Sequence, residues 1–284
     1  METPEPQLSD QPEHASKPTS TLHKLKPWQW AAAGAVVVVL AGGGFAAVKL
    51  MHKAAGQQAA NGAPAVATGK SAAGQTVTYD KTASQQITTG KCDGVGSVPI
   101  TAPMPIAQIG SIQPYGLMVG GHVTPVDHQY YLGPDPRALR DTYDVVAPAD
   151  GWLTQIQHRG DKYNTPAHTV DVPSSDEYRL VFAHTCSFLT YVDLVTSLSD
   201  EVKAQMPNYN PRTGQGFQPF KVKKGEVIGH IGGQTLDFAV WDLAQTPLPF
   251  VARIAYDNAE SWKVFTAPTT KYLDPSVKDA VVAK

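Results

Sequence analysis

A chain of 284 residues is long enough for one sizeable core with appendages and does not require a second domain. Its formal charge of −2 and pI near 6.5 leave no broad basic surface for counterion release, so nucleic-acid binding has no basis in the composition. The only two cysteines, Cys92 and Cys186, are too few and too far apart for a four-thiolate zinc site. In an exported domain they form either one disulfide or two buried thiols, and their spacing does not choose between these.

Residues 1–27 are rich in Pro, Glu, Gln and Ser without an apolar period, and read as a disordered tail. Residues 28–50 (WQWAAAGAVVVVLAGGGFAAVKL) contain an uncharged run from Trp30 to Val48. That run is long enough to cross a hydrocarbon layer of roughly 30 Å. Trp28 and Trp30 suit a membrane interface, and Lys24, Lys26, Lys49 and Lys53 bracket the span on both sides. A single uncleaved anchor is the expectation. The alternatives are a cleaved signal peptide, with Ala63-Pro64-Ala65-Val66-Ala67 as a small-residue cleavage region, and a buried soluble helix. Either of the first two places the rest of the chain outside the cytoplasm. Residues 51–76 are low in complexity and read as a flexible tether.

From residue 77 to 284 one extracytoplasmic domain is expected, with short apolar runs punctuated by Gly and Pro. Segments 144–158, 178–184, 219–231 and 235–241 combine β-branched and aromatic residues with turn residues at their ends. They predict a mainly β fold with an antiparallel, sandwich-like core. Residues 190–205 place Tyr191, Leu194, Val195, Leu198 and Val202 at helical spacing, predicting one inserted amphipathic helix. Trp152 and Trp241 read as core or groove aromatics. The segments 92–118 and 246–284 read as edge strands, covering loops and turns packing onto this core, without chemistry of their own.

Two phrases are more specific: VVAPADG at 145–151, and VKKGEVIGHIG at 222–232 with its Lys-Lys-Gly turn. In this order they resemble the barrel-sandwich hybrid motif shared by lysostaphin-type zinc endopeptidases, lipoyl and biotinyl carrier domains, and membrane-fusion adaptors of export systems. A carrier needs a modifiable Lys at a hairpin tip, whereas Lys223 and Lys224 precede a strand. The order of polar residues over about 115–245 resembles the peptidases: GGHVTPVDH supplies His122 and Asp127, LVFAHT supplies His184, and TLDFAVWD is the late strand.

The resemblance implies that His122, Asp127 and Asp237 are metal ligands and His184 a second-sphere catalytic base or stabiliser. Such ligands hold Zn²⁺ with one position open to water, whose pKa falls toward 7. The family's late His-x-His pair is here Thr235 and Asp237, and the His-to-Asp interval in HVTPVD is one residue longer than usual. Thr235 cannot act as an acid or base near neutral pH. The oxygen-rich set would also hold zinc less selectively, admitting Mn²⁺ or Ca²⁺, and a site holding no metal is equally compatible with the sequence. His128 and His230 are possible substitutes. Asp237, between Leu236 and Phe238, needs a partner if buried. The resemblance therefore implies a cell-envelope protein with a degenerate peptidase-like domain, whose partner is peptidoglycan or an envelope protein such as a wall hydrolase. A non-enzymatic membrane-fusion adaptor is the alternative.

Overall fold

A computed structural model describes residues 65–118, 125–159, 177–211, 213–248 and 261–284. The four segments with β signals all become strands, and the architecture is mainly antiparallel β with few helices. A hairpin of β1 (Val66–Lys70) and β2 (Thr76–Asp80) comes first, within and just after the residues whose composition reads as a tether. Helix α1 (Lys81–Thr88) follows directly. Asp80 caps it by accepting from the Ala83 N–H at 2.9 Å, and Ala83 and Ile87, one turn apart, bury the same face.

The main sheet has eight strands. They are β3 (Ser111–Gln113), β4 (Gln129–Leu132), β6 (Gly151–Arg159), β7 (Glu177–Ala183), β8 (Phe188–Val195), β10 (Phe220–Val222), β12 (Thr235–Asp242) and β13 (Thr266–Ala267). Their order is β10-β6-β7-β8-β12-β4-β3, with β13 also paired to β12. A second sheet orders β5 (Tyr143–Val146), β11 (Val227–Ile231) and β9 (Ser197–Leu198) as β5-β11-β9. Between the sheets lies the larger core, in which Leu180, Phe182, Phe188, Val192, Phe238 and Val240 meet Val145, Leu198, Ile228 and Ile231. Each such side chain, fully withdrawn from water, contributes about 1.5–3 kcal/mol.

The opposite face of the main sheet carries a second cluster. Val181, Leu189, Tyr191 and Trp241 are covered there by Ala83 and Ile87 of α1 and by Val264 and Phe265. Cys92 and Cys186 form a disulfide across 94 positions of sequence, tying the chain just after α1 to the β7–β8 turn.

The predicted helix over 190–205 is a correction. Residues 188–195 are β8, and only Asp200–Ala204 are helical, as α2. Both faces of β8 are buried, so the apolar residues run almost continuously and mimic helical spacing. Leu194 has φ of 67°, a left-handed conformation that no helix interior accepts. The C-terminal segment, expected as strands or turns, ends instead in a helix: α3 (Pro275–Val282) starts with Asp274 as cap and Pro275 in the first turn.

The apolar run at 28–50 lies outside the described residues. Among those described, no helix is long and apolar enough to cross a membrane.

Candidate functional site

Cross-strand pairing fixes which side chains share a face. Asp237 on β12 stands opposite Asp193 on β8 and Tyr130 on β4, while its neighbour Phe238 stands opposite Val192 and Gln129. Because directly paired residues point the same way, Asp237, Asp193 and Tyr130 belong to the face that also carries Tyr191 and Trp241.

The segment entering β4 delivers Asp127 and His128 to this face. The His128 ring lies edge-on to Tyr130 and Tyr191, with centroids at 4.7 and 6.4 Å. Its Nδ1 is 2.8 Å from Asp127 Oδ1, and its Nε2 is 3.4 Å from Asp237 Oδ2. The imidazole thus stands between two carboxylates, and all three side chains are at least four-fifths buried. The loop is held by the Thr266 hydroxyl, which donates to the Asp127 carbonyl at 2.7 Å. Burial pushes the Asp127 carboxyl up, but the hydrogen bond and charge of His128, with the Lys263 charge, bring it below its ordinary value.

Asp193 is the third carboxylate of this face and is 1 % exposed. It accepts from Arg179 Nε at 3.0 Å, and its other oxygen accepts from the Leu194 N–H at 2.9 Å. The Arg179 guanidinium lies over the Tyr191 ring at 4.7 Å. Neither Asp193 nor Arg179 stands out in the sequence reading. The signal was available: a carboxylate inside TYVDLV needs a partner as much as Asp237 inside TLDFAV does.

His184 is elsewhere. It follows β7 on the alternate side, where its ring stacks over Phe182 at 6.2 Å between centroids and 9° between planes. Its Nδ1 is 2.9 Å from the Asp150 carbonyl and its Nε2 2.8 Å from Thr190 Oγ1. Burial lowers its pKa to about 4 against the weaker opposing effect of Asp150. The structure therefore brings Asp127 and Asp237 together through His128, and puts the sheet between them and His184. His122 lies outside the described residues. His230, a possible substitute, belongs to the three-stranded sheet.

Among the described residues, no group of three or more His, Cys, Asp and Glu side chains is arranged to hold a metal ion. Asp127 occupies His128 Nδ1, which leaves Nε2 and Asp237 facing each other. Two donors are fewer than the three protein ligands of a catalytic zinc site, so the described residues by themselves do not fit one.

No protein-family model matches the chain, and no curated protein matches it. Solved structures that it resembles include Csd3 of Helicobacter pylori, at 15% identity and a TM-score of 0.32, over 63% of this chain and 38% of that one. Another is a zinc-containing peptidase from Vibrio cholerae, at 15% identity and a TM-score of 0.27, over 65% of this chain and 47% of that one. The chain thus spans less than half the length of these structures, and likeness of this size carries no argument about activity.

Proposed function

We propose that the chain is a membrane-anchored cell-envelope protein whose metallopeptidase-like domain has lost peptidoglycan peptide hydrolysis and binds peptidoglycan or a wall hydrolase. The observation supporting this reading is the state of the imidazoles. In the peptidase-type site that the resemblance implies, an imidazole exchanges a proton with the substrate. On the charged face, the described residues offer only His128, held between Asp127 and Asp237. His184 has both ring nitrogens engaged inside the core. Thr235, where the resemblance expects a catalytic imidazole, supplies no base.

The set His122, Asp127 and Asp237 is the remnant ligand group in this reading, for Zn²⁺ or a harder divalent ion. It depends on His122. The adaptor alternative is less favoured, because the described part of the interval between the two phrases holds strands β6 to β9, the start of β10 and a five-residue helix.

The test is to incubate the full-length chain with purified peptidoglycan and measure both co-sedimentation and release of soluble fragments. Binding without release is expected. Release that disappears in His128→Ala or Asp237→Ala would overturn the loss of hydrolysis. Metal content is a separate readout: near-stoichiometric metal lost in Asp237→Ala supports the remnant set, and metal unchanged by that substitution removes it.

A further inference from the structure

The three-stranded sheet carries a second polar group that the proposed function does not use. In its register, His230 on β11 is paired on one side with Asp144 of β5 and on the other with Ser197 of β9. Directly paired residues share a face, so the three side chains form one row across three neighbouring strands. Ser197 Oγ is 3.2 Å from His230 Nδ1, and His230 Nε2 is 3.7 Å from Asp144 Oδ1.

Both ends of the row are held. The Gln108 side chain donates to Asp144 Oδ2 at 3.2 Å and accepts from the Asp144 N–H at 2.6 Å, which orients the carboxylate. On the other side, the Thr196 N–H and hydroxyl both donate to the His230 carbonyl, at 2.8 and 3.0 Å, locking β9 onto β11. Gly229 permits that approach, because a Cβ there would run into the Ser197 carbonyl oxygen. Ser197 and His230 line an open cavity of about 460 Å³, bordered also by Asp141, Leu198 and Lys203.

We propose that Ser197 is an activated nucleophile for acyl transfer from small carboxylic esters, with His230 as its base and Asp144 as the residue that positions the imidazole. A serine hydroxyl is a weak nucleophile until a neighbouring base takes its proton, and such groups are recognised by geometry rather than order in the chain. The order of ring nitrogens is the reverse of the usual one, since Nδ1 faces the serine here. Either imidazole nitrogen can accept a proton when the other carries one. The 3.7 Å gap to Asp144 is longer than a hydrogen bond, as apo arrangements of this kind often are.

The step balances without an oxidant or reductant. Ser197 Oγ attacks the ester carbonyl while its proton passes to His230 Nδ1. The carbonyl–alkoxy bond breaks and the alcohol leaves with that proton, giving an acyl-serine and a neutral imidazole. Water then attacks the acyl-serine, losing a proton to His230, and the carboxylic acid departs as the serine recovers its hydrogen.

The experiment treats the full-length chain with a fluorophosphonate probe, maps the adduct by mass spectrometry, and follows hydrolysis of p-nitrophenyl acetate. An adduct on Ser197 is expected, absent from Ser197→Ala together with the esterase signal. His230→Ala is expected to lower both rates about 100-fold or more, with partial recovery on adding free imidazole. Asp144→Asn is expected to slow both, and Asp144→Glu to restore them in part. No adduct on the unmodified chain, an adduct mapped to another residue, or hydrolysis unchanged in Ser197→Ala would overturn the proposal. Mapping on the unmodified chain keeps the test independent of whether the variants fold.

Discussion

The two faces of the main sheet solve the burial of polar groups differently. Toward the three-stranded sheet, an apolar core encloses one imidazole, His184, kept neutral by burial and satisfied by Asp150 and Thr190. Toward α1, ionisable groups are buried against one another: Asp193 with Arg179, and His128 between Asp127 and Asp237. A buried neutral group costs little once its hydrogen bonds are made, whereas a buried ion is tolerable only while its partner remains. Damage to the first face is therefore graded with volume and pH, while damage to the second is severe whenever a pair is split.

The largest expected effect concerns what covers the charged face. Replacing Cys92 and Cys186 together by Ser opens a loop of 94 positions, for which chain entropy predicts a loss of about 4–5 kcal/mol. Urea unfolding of the oxidised chain and the double variant measures it. A loss under about 1 kcal/mol would mean that the cover formed by α1 is held by packing alone. Next comes Asp193→Ala, which leaves the Arg179 guanidinium, with 15% of its side chain exposed, beside an empty place. The expected loss is about 3–4 kcal/mol by the same measurement. Asp193→Leu with Arg179→Met should recover much of it, since an apolar pair of similar size removes both buried charges together. Failure to recover would show that the pair does more than satisfy itself.

His184 gives a pH signature for the other face. Its folded pKa of about 4 lies below the ordinary imidazole value of 6.5, so the unfolded chain binds the extra proton first. The stability that depends on a neutral His184 is fully present above about pH 6.5 and lost as pH falls toward 4, in total about 3 kcal/mol. Unfolding midpoints between pH 7 and 4.5 should show this slope in the native chain. They should show much less of it in His184→Gln, whose amide does not titrate.

The strands were legible because alternation and turn residues are local: the runs at 144–158, 178–184, 219–231 and 235–241 all lie on observed strands. The run at 190–205 misled because β8 is buried on both faces, which erases the alternation that marks a half-buried strand. At the site, motif order put Asp127 and Asp237 on one face, but it could not show the side to which each side chain points. His184 sits one residue past the end of β7, and shifting a position by one along a strand exchanges faces. His128, which the sequence offers only as a substitute ligand, is instead the group between Asp127, which precedes it directly, and Asp237, which needed a partner. Asp193 and Arg179 escaped notice because their pairing is set by the register of β7 on β8, which no short phrase encodes.

The smallest expected effect sharpens the contrast between faces most. Asp127 titrates below its ordinary value, chiefly through His128 once the opposing cost of burial is met. A carboxyl lowered in the folded state contributes stability that is present above its unfolded pKa of about 3.9 and is lost as pH falls below that value. Asp127→Asn should therefore cost about 1 kcal/mol near neutral pH and remove a fall in stability that lies entirely on the acid side of the His184 window. In the His184→Gln background, the slope remaining between pH 4 and 2.5 should be weaker when Asp127→Asn is added. A slope below pH 4 that Asp127→Asn leaves unchanged would mean that the contact with His128 does not lower the Asp127 carboxyl, and the charged face would then have no acid window of its own.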